Sequence, residues 1–405
     1  MTPRLRLIAF AALAGGLLLR TFGLIANPTA PLVDCDGRAS FVMGMSWAQG
    51  KGLLLDDPAL LELCALFGLE ELGPARHFAP GMALIEGSFF LLLGNATLAV
   101  VVPLLLISWL AVGTVWWATR NLYGSDAALL VAAAVSLEWT GVLFGTWKGF
   151  SENLVVVAVT LTIWAVLRAL RDDRFMLAAG FFAGIGYLSK ASMGPFFLVA
   201  GFGGLAWRLL FRGRHVLVNG WYWAAILIFA IPFVGWALRN ISLFWDGTPL
   251  GLLESWQTSA VVGRMVQTAL AQPAELLVGL AGKLPVLLLG LLLPFVPLLP
   301  RFAAPVRRWR EEEPLGLWLT VGLVFVLGWL FAAIFWVNED TSLLWADPLR
   351  YVMVAQIPLL WLLVREGGPF ETRAWALSLL ILAALTLAMP FLLQPGNLLS
   401  ISGRV

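Results

Sequence analysis

Charge is scarce in this chain. Asp, Glu, Lys and Arg together make up 12% of its 405 residues, about half the share found in an ordinary soluble domain. Histidine and cysteine occur only twice each, so no zinc pattern can be assembled from them. No Gly-rich loop of the Walker type is present, which leaves nucleotide hydrolysis without a phosphate cradle. The net charge of +2 comes with no basic cluster interleaved with aromatics, so nothing points to nucleic acid as a partner. There is no repeat of fixed period and no hydrophilic segment large enough for a second globular domain. Residues 1–405 therefore read as a single membrane domain.

What the chain has is apolar sequence, 60% hydrophobic, in runs that recur from end to end. A bilayer span needs roughly 20 mostly apolar residues, and open sheets cannot cross lipid because their edge groups go unpaired. The expected fold is all-α and polytopic. Spans are expected over Leu7–Ala26, Leu98–Thr119, Ala127–Phe144, Leu154–Leu170, Phe175–Leu188, Met193–Phe211, Leu217–Leu238, Leu276–Leu299, Leu315–Val337, Tyr351–Val364 and Ala374–Leu393, about eleven in all at that length per span. Arg4 and Arg6 before the first run make Met1–Ala26 resemble a signal peptide. The run is long and lacks a small-x-small cleavage site, so we read it as an uncleaved first span. The 20 Trp against 4 Tyr suit interfacial belts among membrane lipids.

Lys and Arg prefer the cytoplasmic side. Counting Pro80–Leu93, short and interrupted by Glu86, as a full crossing would put most later basic loops outside. Read as a juxtamembrane helix it restores the rule, with the N-terminus cytoplasmic. Loops 27–79, 240–272 and 338–350 then fall outside and carry most of the acids, which makes an integral plasma-membrane protein with an extracytoplasmic working face. Cys35 and Cys64 both lie in loop 27–79. We read them as two buried thiols rather than as a disulfide, the alternative that an oxidising compartment allows.

Ionisable residues at membrane depth are costly and therefore informative. On this topology Asp36, Lys148, Glu152, Lys190, Arg239 and Arg350 sit at similar depth near the outer boundary. Each cation alone is ordinarily explained by snorkelling to lipid head groups. Four together, at the depth of two acids, suit a substrate with a phosphate head and a nucleophile to deprotonate. Asp34 is either a second acid or a solvated neighbour of Asp36. His77 is a candidate substrate contact, although a lone loop histidine is more often structural. Glu138, inside the third expected span, either pairs with a base or stays protonated. The residues name no certain cofactor, and a divalent metal held by Asp36 and Glu152 stays open.

These residues stand in an ordered set. Asp36 is followed by Gly50-Lys51-Gly52, then Pro80-Gly81, Ser151-Glu152, Leu188-Ser189-Lys190, Arg239-Asn240 with Phe244 and Pro249, and Arg350-Tyr351. In that order and spacing the chain resembles the GT-C membrane glycosyltransferases, in particular the protein O-mannosyltransferase and lipid A aminoarabinose transferase branch. It departs from them where Gly37 and Ser40 replace a second acid or a tyrosine, and in lacking the large soluble C-terminal domain of some members. The resemblance implies transfer of a sugar from a polyprenyl-phosphate donor to a lipid, polysaccharide or protein acceptor, with inversion. It assigns Asp36 as general base, Arg239, Arg350 and Lys190 or Lys148 to the donor phosphate, and Glu152 to orienting the acceptor or a cation. The competing reading is a transporter or flippase of a lipid-linked substrate, but such carriers usually place their sites at the midplane between inverted repeats.

Overall fold

The computed structural model describes residues 1–33, 35–64, 72–75, 79–149, 151–190, 218–245, 247–248, 260–302, 311–338, 353–365 and 370–392. Within them the helices are α1 (Pro3–Ala26), α2 (Cys35–Ala48), α3 (Ala59–Leu63), α4 (Pro80–Leu93), α5 (Ala96–Tyr123), α6 (Ser125–Ser136), α7 (Trp139–Val142), α8 (Glu152–Arg168), α9 (Phe175–Ser189), α10 (Gly220–Phe244), α11 (Ala260–Ala271), α12 (Pro273–Leu292), α13 (Glu312–Asn338), α14 (Gln356–Arg365) and α15 (Thr372–Leu392). The all-α, polytopic class stands. Six of these helices, α1, α5, α10, α12, α13 and α15, are long and apolar enough to cross a bilayer, or seven spans if one bent pair is counted. The span expected over Met193–Phe211 lies outside the described residues.

Local chemistry sets the helix ends. Thr2 Oγ1 accepts from Leu5 N at 3.3 Å ahead of Pro3, and Asn95 Oδ1 accepts from Leu98 N at 3.0 Å ahead of α5. Both satisfy amides that the first turn leaves over. Small residues set the crossings. A Cβ on Gly180 of α9 would collide with the Ala225 carbonyl of α10, and one on Gly44 of α2 would stand 2.5 Å from the Ala83 carbonyl of α4. Without hydrophobic drive between helices in lipid, such close backbone approach is what holds them together. The core gathers α1, α5, α6, α8 and α14. There α14 is buried along its length, and Trp361 Nε1 donates to Thr119 Oγ1 at 2.8 Å.

One expected straight span is broken. Ala127–Phe144 bends by 59° between α6 and the segment Trp139–Trp147, whose last five residues are π-helical. Glu138 causes the restart. Its carboxylate accepts from Thr140 N at 3.1 Å, Thr140 Oγ1 at 2.8 Å and Gly141 N at 2.7 Å, capping a new helix inside the bundle.

The two-thiol reading of Cys35 and Cys64 is wrong. They form a disulfide, with Cα atoms 5.1 Å apart, inside the range a bridge requires. The short pairing of Leu54–Leu55 with Gly73–Pro74 brings the loop back on itself. That return, invisible in the cysteine spacing, carries Cys64 to the start of α2. Replacing Cys64 by Ser should cost about 3–4 kcal/mol by the chain-entropy relation for a loop of this length. Limited proteolysis of the detergent-solubilised protein should then cut within residues 49–64; equal resistance with and without the bridge would mean that other contacts hold the loop.

A second tie in the loop is electrostatic. Arg38 Nε donates to Asp57 Oδ2 at 2.7 Å, and Ala59 N donates to Asp57 Oδ1 at 3.0 Å. The Arg38 bond, ahead of the opposing desolvation, holds the Asp57 carboxyl below its ordinary range. A depressed carboxyl stabilises the fold above its unfolded pKa, and that contribution is lost as the pH falls through the folded value. Acid should therefore loosen the loop, and Asp57→Asn should remove that dependence. The same proteolysis run as an acid series checks it, since an unchanged acid profile in the variant would exclude the pair.

Candidate active site

Asp36 lies in the first turn of α2, half-buried, where a helix start favours negative charge. Its neighbour Gly37 has no room for a side chain. A Cβ there would collide with the Pro31 carbonyl and stand 2.7 Å from the Lys148 carbonyl. The start of α2 thus rests on the turn that carries Lys148. Gly149 completes that turn at φ +74°, and a Cβ on it would meet Pro31 Cβ at 2.6 Å, so glycine is needed twice over. Lys148 Nζ lies over the Phe144 ring, 5.5 Å from its centroid.

The next motif joins from α8. Glu152 opens that helix, and its Oε1 accepts from Lys190 Nζ, which follows α9. The Glu152 side chain is 4% exposed and that of Lys190 12%. Gly81, the second residue of α4, packs on the same place, with its would-be Cβ 2.7 Å from the Leu188 carbonyl. Four separated motifs therefore meet at one end of the helices. The segments that carry Asp36, Lys148, Glu152 and Lys190 form one cluster.

Arg239 reaches it differently. Its Nη1 donates to the Ala75 carbonyl and, at 2.9 Å, to Asn240 Oδ1; its Nη2 donates to the Leu53 carbonyl at 3.5 Å. The guanidinium lies 4.7 Å from the Trp236 ring centroid, so Arg239 ties the end of α10 to the hairpin of loop 27–79. Beside it Asn240 is buried, and its Nδ2 has no partner among the described residues. Such an orphan donor calls for an explanation. Gly50 and Gly52 hold φ of +76° and +85° with open space around them, so that motif turns the chain rather than cradling a ligand. Asp34, His77 and Arg350 lie outside the described residues.

Sequence reasoning passed over Arg20, Ser108 and Asn153, which are buried together behind this cluster. The signal was available: an arginine within the first apolar run is costly unless it is paired. For a divalent metal the described donors do not fit. Among the described residues no three His, Cys, Asp or Glu side chains come together, and Glu152 Oε1 is taken by Lys190. No step is derived through a metal.

The fold defines a class: a polytopic, all-helical membrane protein. Residues 77–238 match the family model described as dolichyl-phosphate-mannose-protein mannosyltransferase. Among solved structures, ArnT from Cupriavidus metallidurans bound to undecaprenyl phosphate is similar at 16% identity and TM-score 0.58, over 97% of this chain and 67% of that one. Its apo state gives 18% and 0.56, over 97% and 66%. The apo Archaeoglobus fulgidus oligosaccharyltransferase gives 11% and 0.52, over 94% and 55%. This chain thus spans about two-thirds of the ArnT length, and at these identities the likeness is one of fold. No curated protein matches significantly by sequence.

Proposed function

We propose that this protein transfers a sugar from a polyprenyl-phosphate carrier to an acceptor hydroxyl or amine on the extracytoplasmic side of the plasma membrane, inverting the anomeric carbon. The observation that carries this reading is the convergence of Asp36, Lys148, Glu152 and Lys190 at one end of the helices. The family match and the undecaprenyl phosphate bound to the similar ArnT support the donor class. The Cys35–Cys64 bridge supports the side, because such bonds persist in oxidising compartments.

Asp36 takes the acceptor proton as the acceptor attacks the anomeric carbon. The bond from that carbon to the phosphate oxygen breaks, and polyprenyl phosphate leaves with the electron pair. Negative charge grows on the leaving phosphate. Lys148 and Arg350 are assigned to meet it, with Arg239 exchanging its carbonyl partners for phosphate through its planar fork. The buried orphan amide of Asn240 is a further donor within that neighbourhood. Lys190 is neutralised by Glu152, so together they orient the acceptor more than they bind anion. His77 stays a candidate substrate contact and Asp34 a candidate second acid.

The test is incubation of the purified protein with labelled undecaprenyl-phosphate sugar and candidate acceptors. Release of free undecaprenyl phosphate with labelled acceptor is the expected result. Redistribution of intact donor across a vesicle without cleavage would instead identify a flippase.

A further inference from the structure

Arg20 lies well inside α1, where a charge facing lipid would be costly, yet it is 1% exposed. Its guanidinium reaches five acceptors. Nε donates to the Ser136 carbonyl at 3.1 Å and Nη2 to the Val135 carbonyl at 2.9 Å; Nη1 donates to Ser108 Oγ at 2.9 Å, Asn153 Oδ1 at 3.1 Å and the Gly141 carbonyl at 3.4 Å. The Val135 and Ser136 carbonyls lie at the end of α6, where the break begins, the first of them also accepting from Glu138 N at 3.2 Å, and a cation there meets the negative end of that helix. The Gly141 carbonyl belongs to the restarted segment, and Asn153 to the first turn of α8. One side chain therefore binds both sides of the break and the helix after it.

Two glycines share its stripe of α1. A Cβ on Gly16 would collide with Ser136, and one on Gly23 with the Trp147 indole. Trp147 Nε1 in turn donates to the Leu19 carbonyl at 3.3 Å. Residues four before and three after a given position lie on one helix face, so Gly16, Arg20 and Gly23 form a continuous seat. Lys148 follows Trp147 by one residue, and Glu152 precedes Asn153 by one. Thr146 Oγ1 closes the network through Ser108 Oγ at 2.8 Å, and Asn153 Nδ2 donates to Thr146 Oγ1 at 3.0 Å.

We propose that the Gly16–Arg20–Gly23 face of α1 is a clamp that sets the positions of Lys148 and Glu152 by holding the broken span to the start of α8. Arg20 touches no substrate; it is a positioning residue. Lysine could not replace it, because a single ammonium cannot reach acceptors on four segments as the guanidinium fork does. The value of those positions for catalysis rests on the functional reading above, whereas the clamp itself does not.

The chain has four lysines, Lys51, Lys148, Lys190 and Lys283, so reductive ¹³C-dimethylation of the detergent-solubilised protein gives one magnetic-resonance signal for each. In Arg20→Gln the Lys148 and Lys190 signals should move while that of Lys51 stays. Ser108→Ala, a milder variant that decides the matter if Arg20→Gln does not fold, should move the same two signals less far. It should also lower kcat for transfer about 2- to 10-fold, the worth of one hydrogen bond, with KM unchanged. Lysine signals identical to wild type in Ser108→Ala, or all four displaced alike, would overturn the clamp. So would a KM rise at constant kcat, which belongs to a binding role. If wild type transfers no sugar, the functional reading fails and the lysine signals alone decide the clamp.

Discussion

Asp36→Asn should lower sugar transfer by about 10²–10⁴-fold, the usual worth of a positioned general base, and should leave the protein folded and able to bind donor. The substitution keeps the shape of the side chain and removes its capacity to take a proton. Asp36 stands in the first turn of α2, and the packing of Gly37 on the Pro31 and Lys148 carbonyls fixes where that turn sits. Because the phosphate contacts are assigned to cations on other segments, donor affinity should survive the change. The measurement is single-turnover transfer beside equilibrium binding of labelled undecaprenyl-phosphate sugar. Wild-type turnover in Asp36→Asn removes this residue from the base role and shifts attention to Asp34. Loss of binding together with turnover would mean that Asp36 shapes the donor site instead.

The second large effect concerns stability. Glu152→Gln and Lys190→Met each break a buried ion pair from one side, a change that costs up to about 3–5 kcal/mol. Both side chains are largely withdrawn from water, so little screening reduces that penalty. The double variant removes both charges at once and should lose less than the two single losses added. A coupling of about 0.5–3 kcal/mol is the range seen for residues in direct contact. Denaturant unfolding in one detergent, followed for wild type, both single variants and the double, gives the cycle. Strict additivity would show that the pair contributes nothing as a pair. Because Glu152 begins α8 and Lys190 ends the α9 turn, the single variants should also lose turnover, and the double variant should not recover it.

Much of the architecture was legible in composition. Scarce charge and long apolar runs allow only helices in lipid, and six of the expected spans appear as helices long enough to cross. The reading of Pro80–Leu93 as something shorter than a crossing also agrees with a 14-residue helix, buried over its first half. Of the ordered motifs, the structure packs the turn beside Asp36 on the Lys148 carbonyl and pairs Glu152 with Lys190. The break at Glu138 was not legible. A carboxylate within an apolar run reads as a cost to be neutralised, and only the structure shows it capping the amides of Thr140 and Gly141. Arg239 shows the same limit: its type and place suggested an anion, while its described partners are carbonyls of the hairpin and the Asn240 side chain.

By itself the sequence determined that this chain is an all-helical membrane protein and where along it the few charges stand. Those are properties of composition and of spacing along the chain. Tertiary structure alone decided the Cys35–Cys64 bridge, the seat of Arg20 and the contact of Gly37 with the Lys148 turn. Each depends on two backbones coming within a few ångströms across many residues of sequence. What permits the approach at Gly16, Gly23, Gly37 and Gly81 is a missing side chain, and the amino-acid order does not say which backbone will fill that space.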